Sequence, residues 1–295
     1  MQNYILSATS TADLSKEHFE SRGIPYLCFH FMMDDVEHID DLGQTMPFDT
    51  FYQKMEEGVI TKTSQPSTGQ YLEYFTPFLE AGKDILHVSL SSGLSGEFNN
   101  ATLAAKTLLE KYPERKIIVI DSLGASSGYG LFVDKLADLR DEGMSLEELA
   151  AWAEEHKLNV HHWFFSTDLK YYVRGGRVSR VSGFLGGILH ICPLLNMDDE
   201  GHLIPREKCR PERKAILRIV EMMKQHAENG LDYDGKVYMS MSACPELAEP
   251  VAKLVEETFP KMKGKVLINS IGTTIGSHTG PGTVALFFFG DKRGH

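Results

Sequence analysis

Two apolar rhythms alternate along the first half of the chain. Short apolar runs, YILS at 4–7, PYLCFHFM at 25–32, DILHVSL at 84–90 and KIIVID at 116–121, are bounded by turn residues and have the length of buried strands. Between them the apolar residues recur at helical spacing over 14–22, 48–57, 69–81, 96–112 and 126–142. Strands and helices that alternate at this interval predict a mostly parallel α/β sheet. Ser145 with Glu147 and Glu148 behind it caps one more helix, and then the texture changes. The second half predicts strands at 159–166, 192–197, 201–204, 236–243, 265–270 and 283–290, with helices at 167–174, 182–190, 211–229 and 246–258. A soft domain boundary falls near 155–160.

The polar residues between these elements change the picture more than the elements do. The strands 4–7, 84–90 and 116–121 run into SATSTADLS, SSGLSG and DSLGASSGYG, loops of Ser, Thr and Gly that open helices. In a parallel sheet such loops share the edge at the carboxyl ends of the strands, where ligands of open α/β folds bind. Small residues let the backbone approach a ligand, and Ser91, Ser92 and Ser95 add hydroxyls beside the free N–H groups of a helix start, which is the chemistry of an anion site. A tight turn with Ser95 as the helix cap is the plainer alternative.

Composition narrows the partners. The 295 residues, 42% hydrophobic and 24% charged, are those of an ordinary globular protein, and a formal charge of −11 argues against nucleic acid or an anionic membrane surface as main partner. The cysteines at 28, 192, 209 and 244 are too scattered for a disulfide framework or a CxxC site, so reduced thiols and a cytoplasmic location are expected. No signal peptide is recognisable, and no apolar run approaches the roughly 18 residues of a membrane span.

Catalytic motifs are scarce. The chain has no GxxxxGK[ST] loop, no GxGxxG after its first strand and no GxSxG elbow. His161 and His162 are adjacent in a strand and point to opposite faces, so they cannot chelate one ion together. The acidic runs at 32–41 and 197–200 lack the spacing of a calcium loop and read as a solvated loop and a β-turn, so no metal is expected. His278 stands out, because Ser277, Thr279 and several glycines surround it in what reads as a tight loop between strands.

A series of segments in order resembles the motifs of the DegV family over nearly the whole chain: STADLS near the start, KTSQPSTGQ at 62–70, LSSGLSGEFNNA at 90–101, IDSLGASSGYG at 120–130, LKYYVRGGRVS at 169–179, CRPERKAI at 209–216 and SHTGPGTVALFF at 277–288. The resemblance implies a two-domain α/β fold. Residues 1–157 would form a domain with a mostly parallel sheet and the Ser/Thr/Gly loops, and 158–295 a domain with a mixed or antiparallel sheet carrying the RGGR and SHTG motifs. It further implies a long-chain fatty-acid-binding protein, similar to the binding subunit of bacterial fatty acid kinase. Such a subunit has no catalysis and no cofactor of its own, and touches a membrane peripherally or transiently at most. A partner kinase phosphorylates the bound carboxylate, and the acyl phosphate feeds phospholipid synthesis.

By the same resemblance Thr63, Ser64, Ser95, Arg177, His278 and Thr279 are the ligand-binding residues, and Arg210 faces the kinase. The family's usual TDSTADL reads ATSTADL here, with Thr9 in place of the acid. The glycines at 183, 186 and 187 make 181–195 a candidate tunnel wall. A hydrolase or transferase using Ser95 or Ser277 with His278, and a binding module for a different small ligand, are the alternatives.

Overall fold

In the computed structural model of the protein, which describes residues 3–178 and 191–294, the first apolar run becomes β1 (Tyr4–Thr9). It lies parallel to β6 (Asp84–Ser89), which lies parallel to β7 (Ile117–Asp121). β2 (Tyr26–Leu27) completes a parallel four-stranded sheet of order β2-β1-β6-β7. The Ser/Thr/Gly loops therefore line one edge, as the alternating pattern predicts.

PYLCFHFM is not one strand. The chain leaves the sheet edge after Leu27, because Ser10 Oγ takes the Phe29 N–H at 3.1 Å and the Phe29 carbonyl accepts the Asp40 N–H at 2.9 Å. It then enters β3 (His30–Met33), the centre of a separate antiparallel sheet with β4 (Val36–Ile39) and β5 (Thr61–Ser64). The acidic run 32–41, read from sequence as a solvated loop, is largely a hairpin. Asp34 and Asp35 adopt the left-handed conformation at φ 54° and 59°, which a two-residue hairpin turn demands and Asp tolerates.

The second half builds a mixed six-stranded sheet from β8 (Val160–Ser166), β9 (Cys192–Met197), β10 (Leu203–Cys209), β11 (Val237–Met241), β12 (Val266–Ser270) and β13 (Thr283–Phe289). Its order is β10-β9-β8-β13-β11-β12, antiparallel except for the parallel pair β11 and β12. The helix expected over 182–190, and with it most of the candidate tunnel wall, lies outside the described residues. Of the remainder, Leu194 and Leu195 are buried in the cores on opposite faces of this sheet.

Helices fill the space between and outside these sheets. α3 (Thr68–Glu80) and α4 (Glu97–Lys111) cover one face of the parallel sheet, while α5 (Ser126–Asp141) and α6 (Leu146–His156) lie on the other. α5 also packs on β8, β11 and β13, so both its sides are buried and its polar stripe is lost. One apolar core, with Leu6 and Val88 on one side of α5 and Tyr238 and Phe287 on the other, thus joins the two halves. α8 (Glu212–His226) and α9 (Pro245–Thr258) close the far face of the mixed sheet. α1 (Lys16–Ser21), α2 (Phe48–Glu56), α7 (Lys170–Gly175) and α10 (Thr273–Thr279) are shorter. The thiols are free, and burial pushes Cys192 and Cys244 up to about 12.

Candidate functional site

A cavity opens where the loop edge of the parallel sheet meets the inner face of the mixed sheet. It has about 860 Å³ of space not filled by protein atoms, its solvent-open mouth included. Leu90, just before SSGLSG, and Leu94 within it line it from one side, Phe164, Ala285 and Phe287 from the mixed sheet, and Met197 and Leu203 from the β9–β10 hairpin. An apolar wall of this kind with a few convergent polar groups is the usual form of a small-molecule site.

Several polar groups come together on this cavity. Thr63 on β5 and His278 on α10 are hydrogen-bonded, Oγ1 to Nε2, at 2.8 Å. Ser95 Oγ donates to Gln65 Oε1 at 2.7 Å. Thr63, Gln65, Ser95, Arg177, His278 and Thr279 all line the cavity. Among the described residues His278 Nδ1 and Thr279 Oγ1 are buried without a hydrogen-bond partner, an arrangement that costs free energy. His278 sits on a short helix rather than in the loop expected from sequence. Asp13 fixes the start of that helix by accepting the Gly272 N–H at 3.0 Å, and it also accepts the Ser126 hydroxyl. Ser126 itself opens α5 at φ 54°, a strained conformation at the cavity wall.

Ser64 stands apart from this group. Strand alternation turns it away from Thr63, and it is exposed and absent from the cavity lining. The same alternation puts Gln65 on the face of Thr63, a signal present in TSQPS that the motif reading missed. Ser91 is also structural: its hydroxyl donates to the Gly201 carbonyl at 2.9 Å and accepts the Gly93 N–H at 3.1 Å. Ser92 N–H goes to Asp121 Oδ1 at 3.1 Å. Of the hydroxyls of SSGLSG, Ser95 alone lines the cavity. The helix cap is Gly96 rather than Ser95, although Ser95 Oγ does accept the Glu97 N–H at 3.2 Å.

Arg177 donates from Nε to the Leu94 carbonyl at 3.3 Å and from Nη1 to the Gly175 carbonyl at 2.6 Å, tying the RGGR turn to SSGLSG. Gly175 is required there, since a Cβ would lie 2.4 Å from His278 Nδ1. Thr9 is fully buried and bonded to Thr11 and Tyr129, away from the cavity lining. Arg210 is exposed ahead of α8 and also lies off the lining. His162, missed by the motif reading, faces the cavity. Its Nε2 accepts the Ala125 N–H at 3.2 Å, its Nδ1 donates to the Val160 carbonyl at 3.0 Å, and burial lowers its pKa well below 6.5.

Burial, with the nearby Arg177 charge, lowers the His278 pKa from 6.5 to about 4, so the ring is neutral at neutral pH. Between those values the unfolded chain binds this proton and the folded chain does not, so stability is lost as pH falls through that window. Burial raises the pKa of Asp13 and Asp40, which acts in the opposite sense, so the test is a difference. Urea midpoints of the wild type and His278→Gln, measured from pH 7 to 4, are expected to converge or cross as the wild type loses about 2–3 kcal/mol more than the variant. Parallel curves would exclude a buried neutral His278.

These features agree with known proteins. A family profile described as "Uncharacterised protein, DegV family" matches residues 8–291. A DegV domain-containing protein of Clostridium perfringens is 33% identical over 293 residues, 99% of each chain. The solved structure of a DegV family protein from Thermus thermophilus, described for its fatty acid binding, superposes with a TM-score of 0.86 at 26% identity, covering 98% of this chain and 100% of that one. A stearic-acid-binding protein from Eubacterium ventriosum gives 0.84 at 25% identity, over 96% and 97%. With the motifs, the paired sheets and the cavity between them all in agreement, the chain belongs to the DegV family.

Proposed function

We propose that this protein binds one long-chain fatty acid, with the carboxylate held among Thr63, Ser95, His278 and Thr279 and the alkyl chain in the apolar cavity. The observation that carries this is the pairing of Thr63 with His278, beside His278 Nδ1 and Thr279 Oγ1, which have no hydrogen-bond partner among the described residues, on the wall of a mostly apolar cavity. The Thermus thermophilus and Eubacterium ventriosum relatives support the ligand class. Each buried methylene contributes roughly 0.8 kcal/mol, so a dozen supply on the order of 10 kcal/mol before ordering costs, and hydroxyls suffice to orient the head.

The protein then presents the carboxylate to a separate kinase, which makes the acyl phosphate for phospholipid synthesis, with Arg210 on the kinase-facing surface. In this reading residues 1–157 and 158–295 act as two domains that together enclose the ligand, in the cytoplasm. Among the described residues no helix is long and apolar enough to cross a membrane. The hydrolase reading is weaker, because Ser95 Oγ is bonded to Gln65 and Ser277 Oγ to the Thr273 carbonyl, while His278 is bonded to Thr63.

Native mass spectrometry of protein purified from bacteria without delipidation is expected to show about one fatty acid per chain, and no ATP turnover is expected without the kinase. Ligand-free protein, or ATP hydrolysis by the isolated chain, would overturn the reading.

A further inference from the structure

The adjacent histidines of β8 diverge. His162 faces the cavity, whereas His161 faces the opposite side of the sheet and meets His226, the last residue of α8, and Asp291, just beyond β13. His161 Nε2 lies 3.0 Å from Asp291 Oδ1, and His226 Nδ1 lies 3.1 Å from the same oxygen. All these ligand atoms fall within 4.8 Å of one another. We propose that His161, His226 and Asp291 form a binding site for one divalent transition-metal ion of the zinc class, with water as the fourth ligand.

The distances fit. Zinc bonds of about 2.0–2.2 Å place tetrahedral ligands about 3.3 Å apart, so each histidine–Asp291 pair needs to open by only a few tenths of an ångström, while the two histidine nitrogens, within 4.8 Å of each other, adjust to the same spacing. The Asp291 side chain is 64% exposed and has the room to swing. Two imidazoles and one carboxylate suit zinc, cobalt, nickel or copper better than magnesium or calcium, which take all-oxygen shells.

The backbone preorganises the cluster beyond what a side-chain hydrogen bond needs. Asp291 N–H donates to the His226 carbonyl at 3.1 Å and Gly290 N–H to the Asn159 carbonyl at 2.8 Å, tying the tail to both histidine-bearing segments. Position 290 accepts only glycine at this approach, because a Cβ would lie 2.1 Å from the His226 carbonyl oxygen. The carboxyl end of α8 points its negative dipole end at the site, which favours a cation. A surface cleft lined in part by His226 and Asp291 gives solvent access for ion and water. The residues are far apart in sequence, so no motif could disclose the site.

The test uses the untagged full chain, stripped with a chelator and titrated with zinc chloride by calorimetry and with cobalt chloride by visible absorption. One zinc per chain at micromolar or tighter affinity is expected, with the d–d bands of tetrahedral nitrogen and oxygen coordination for cobalt. His226→Ala and Asp291→Asn, both at solvent-reached positions, should weaken zinc by about 10–100-fold or more while leaving bound fatty acid unchanged. No saturable binding to the wild type below about 100 μM zinc, a thiolate signature in the cobalt spectrum, or unchanged affinity in both folded variants would overturn the proposal. Should a variant misfold, the wild-type stoichiometry and cobalt spectrum decide alone.

Discussion

His278→Ala is expected to reduce kinase-dependent acyl-phosphate formation by about 100-fold while lowering fatty-acid retention by about tenfold at most. The asymmetry follows from where the energy lies. The alkyl chain supplies most of the binding, at roughly 0.8 kcal/mol per methylene, so losing one neutral polar contact at the head costs about 1 kcal/mol. Phosphoryl transfer is more exposed to error, because one carboxylate oxygen must stand in line with the donor phosphate, and a misplacement of about 1 Å can cost about 100-fold. The neutral ring beside the head group can also stabilise charge as the phosphate arrives. Gly175→Ala should approach the same phenotype, since its Cβ would intrude on His278 Nδ1 at 2.4 Å. Turnover unchanged in a stably folded His278→Ala would remove the histidine from the mechanism. Equal losses of retention and turnover would make it a binding residue only.

The parts of this molecule legible in the sequence are those governed by local rules. The strands at 84–90 and 116–121 and the helices 48–57 and 69–81 match their observed counterparts to within a residue or so, because apolar spacing and caps such as Ser67 decide them. Where long-range contacts decide, sequence patterns fail. Phe29 breaks a strand because Ser10 and Asp40, from elsewhere, claim its backbone. α10 was hidden by its Thr and Gly content, and Asp13, hundreds of residues earlier, accepts the N–H that opens it. The candidate site divides in the same way. Thr63, Ser95, Arg177, His278 and Thr279 converge on one cavity, and the two-residue strand period alone places Gln65 on the cavity side with Thr63, and Ser64 on the other. The grouping of His161 with His226 and Asp291 had no sequence signal at all.

Glu97→Ala is expected to destabilise the protein by about 3–5 kcal/mol, the cost of stripping a buried, fully hydrogen-bonded carboxyl group of its role. Glu97 is entirely buried in the first turn of α4, directly after SSGLSG. Its Oε2 accepts the Leu90 N–H at 2.8 Å and its Oε1 the Tyr71 hydroxyl at 2.5 Å. Tyr71 in turn lies 3.2 Å from His87 Nε2, and His87 Nδ1 lies 2.8 Å from Ser7 Oγ, so the chain of bonds runs back through the parallel sheet. Alanine would leave the Leu90 N–H and the Tyr71 hydroxyl buried and unpaired, each costing about 1–3 kcal/mol, with a void besides. Glutamine keeps an acceptor for Leu90 and offers an amide N–H to a reoriented Tyr71 hydroxyl, so Glu97→Gln should cost only about 1 kcal/mol. The measurement is the urea midpoint at constant m-value for both variants. A loss below about 1 kcal/mol for alanine, or equal losses for alanine and glutamine, would refute the network as described. The same carboxyl group explains why a turn of Ser and Gly can hold a shape without a ligand. Glu97 anchors the loop at its start through Leu90 and at its end through the N–H bonded to Ser95 Oγ, so the one hydroxyl that reaches the cavity is set in place from within the protein.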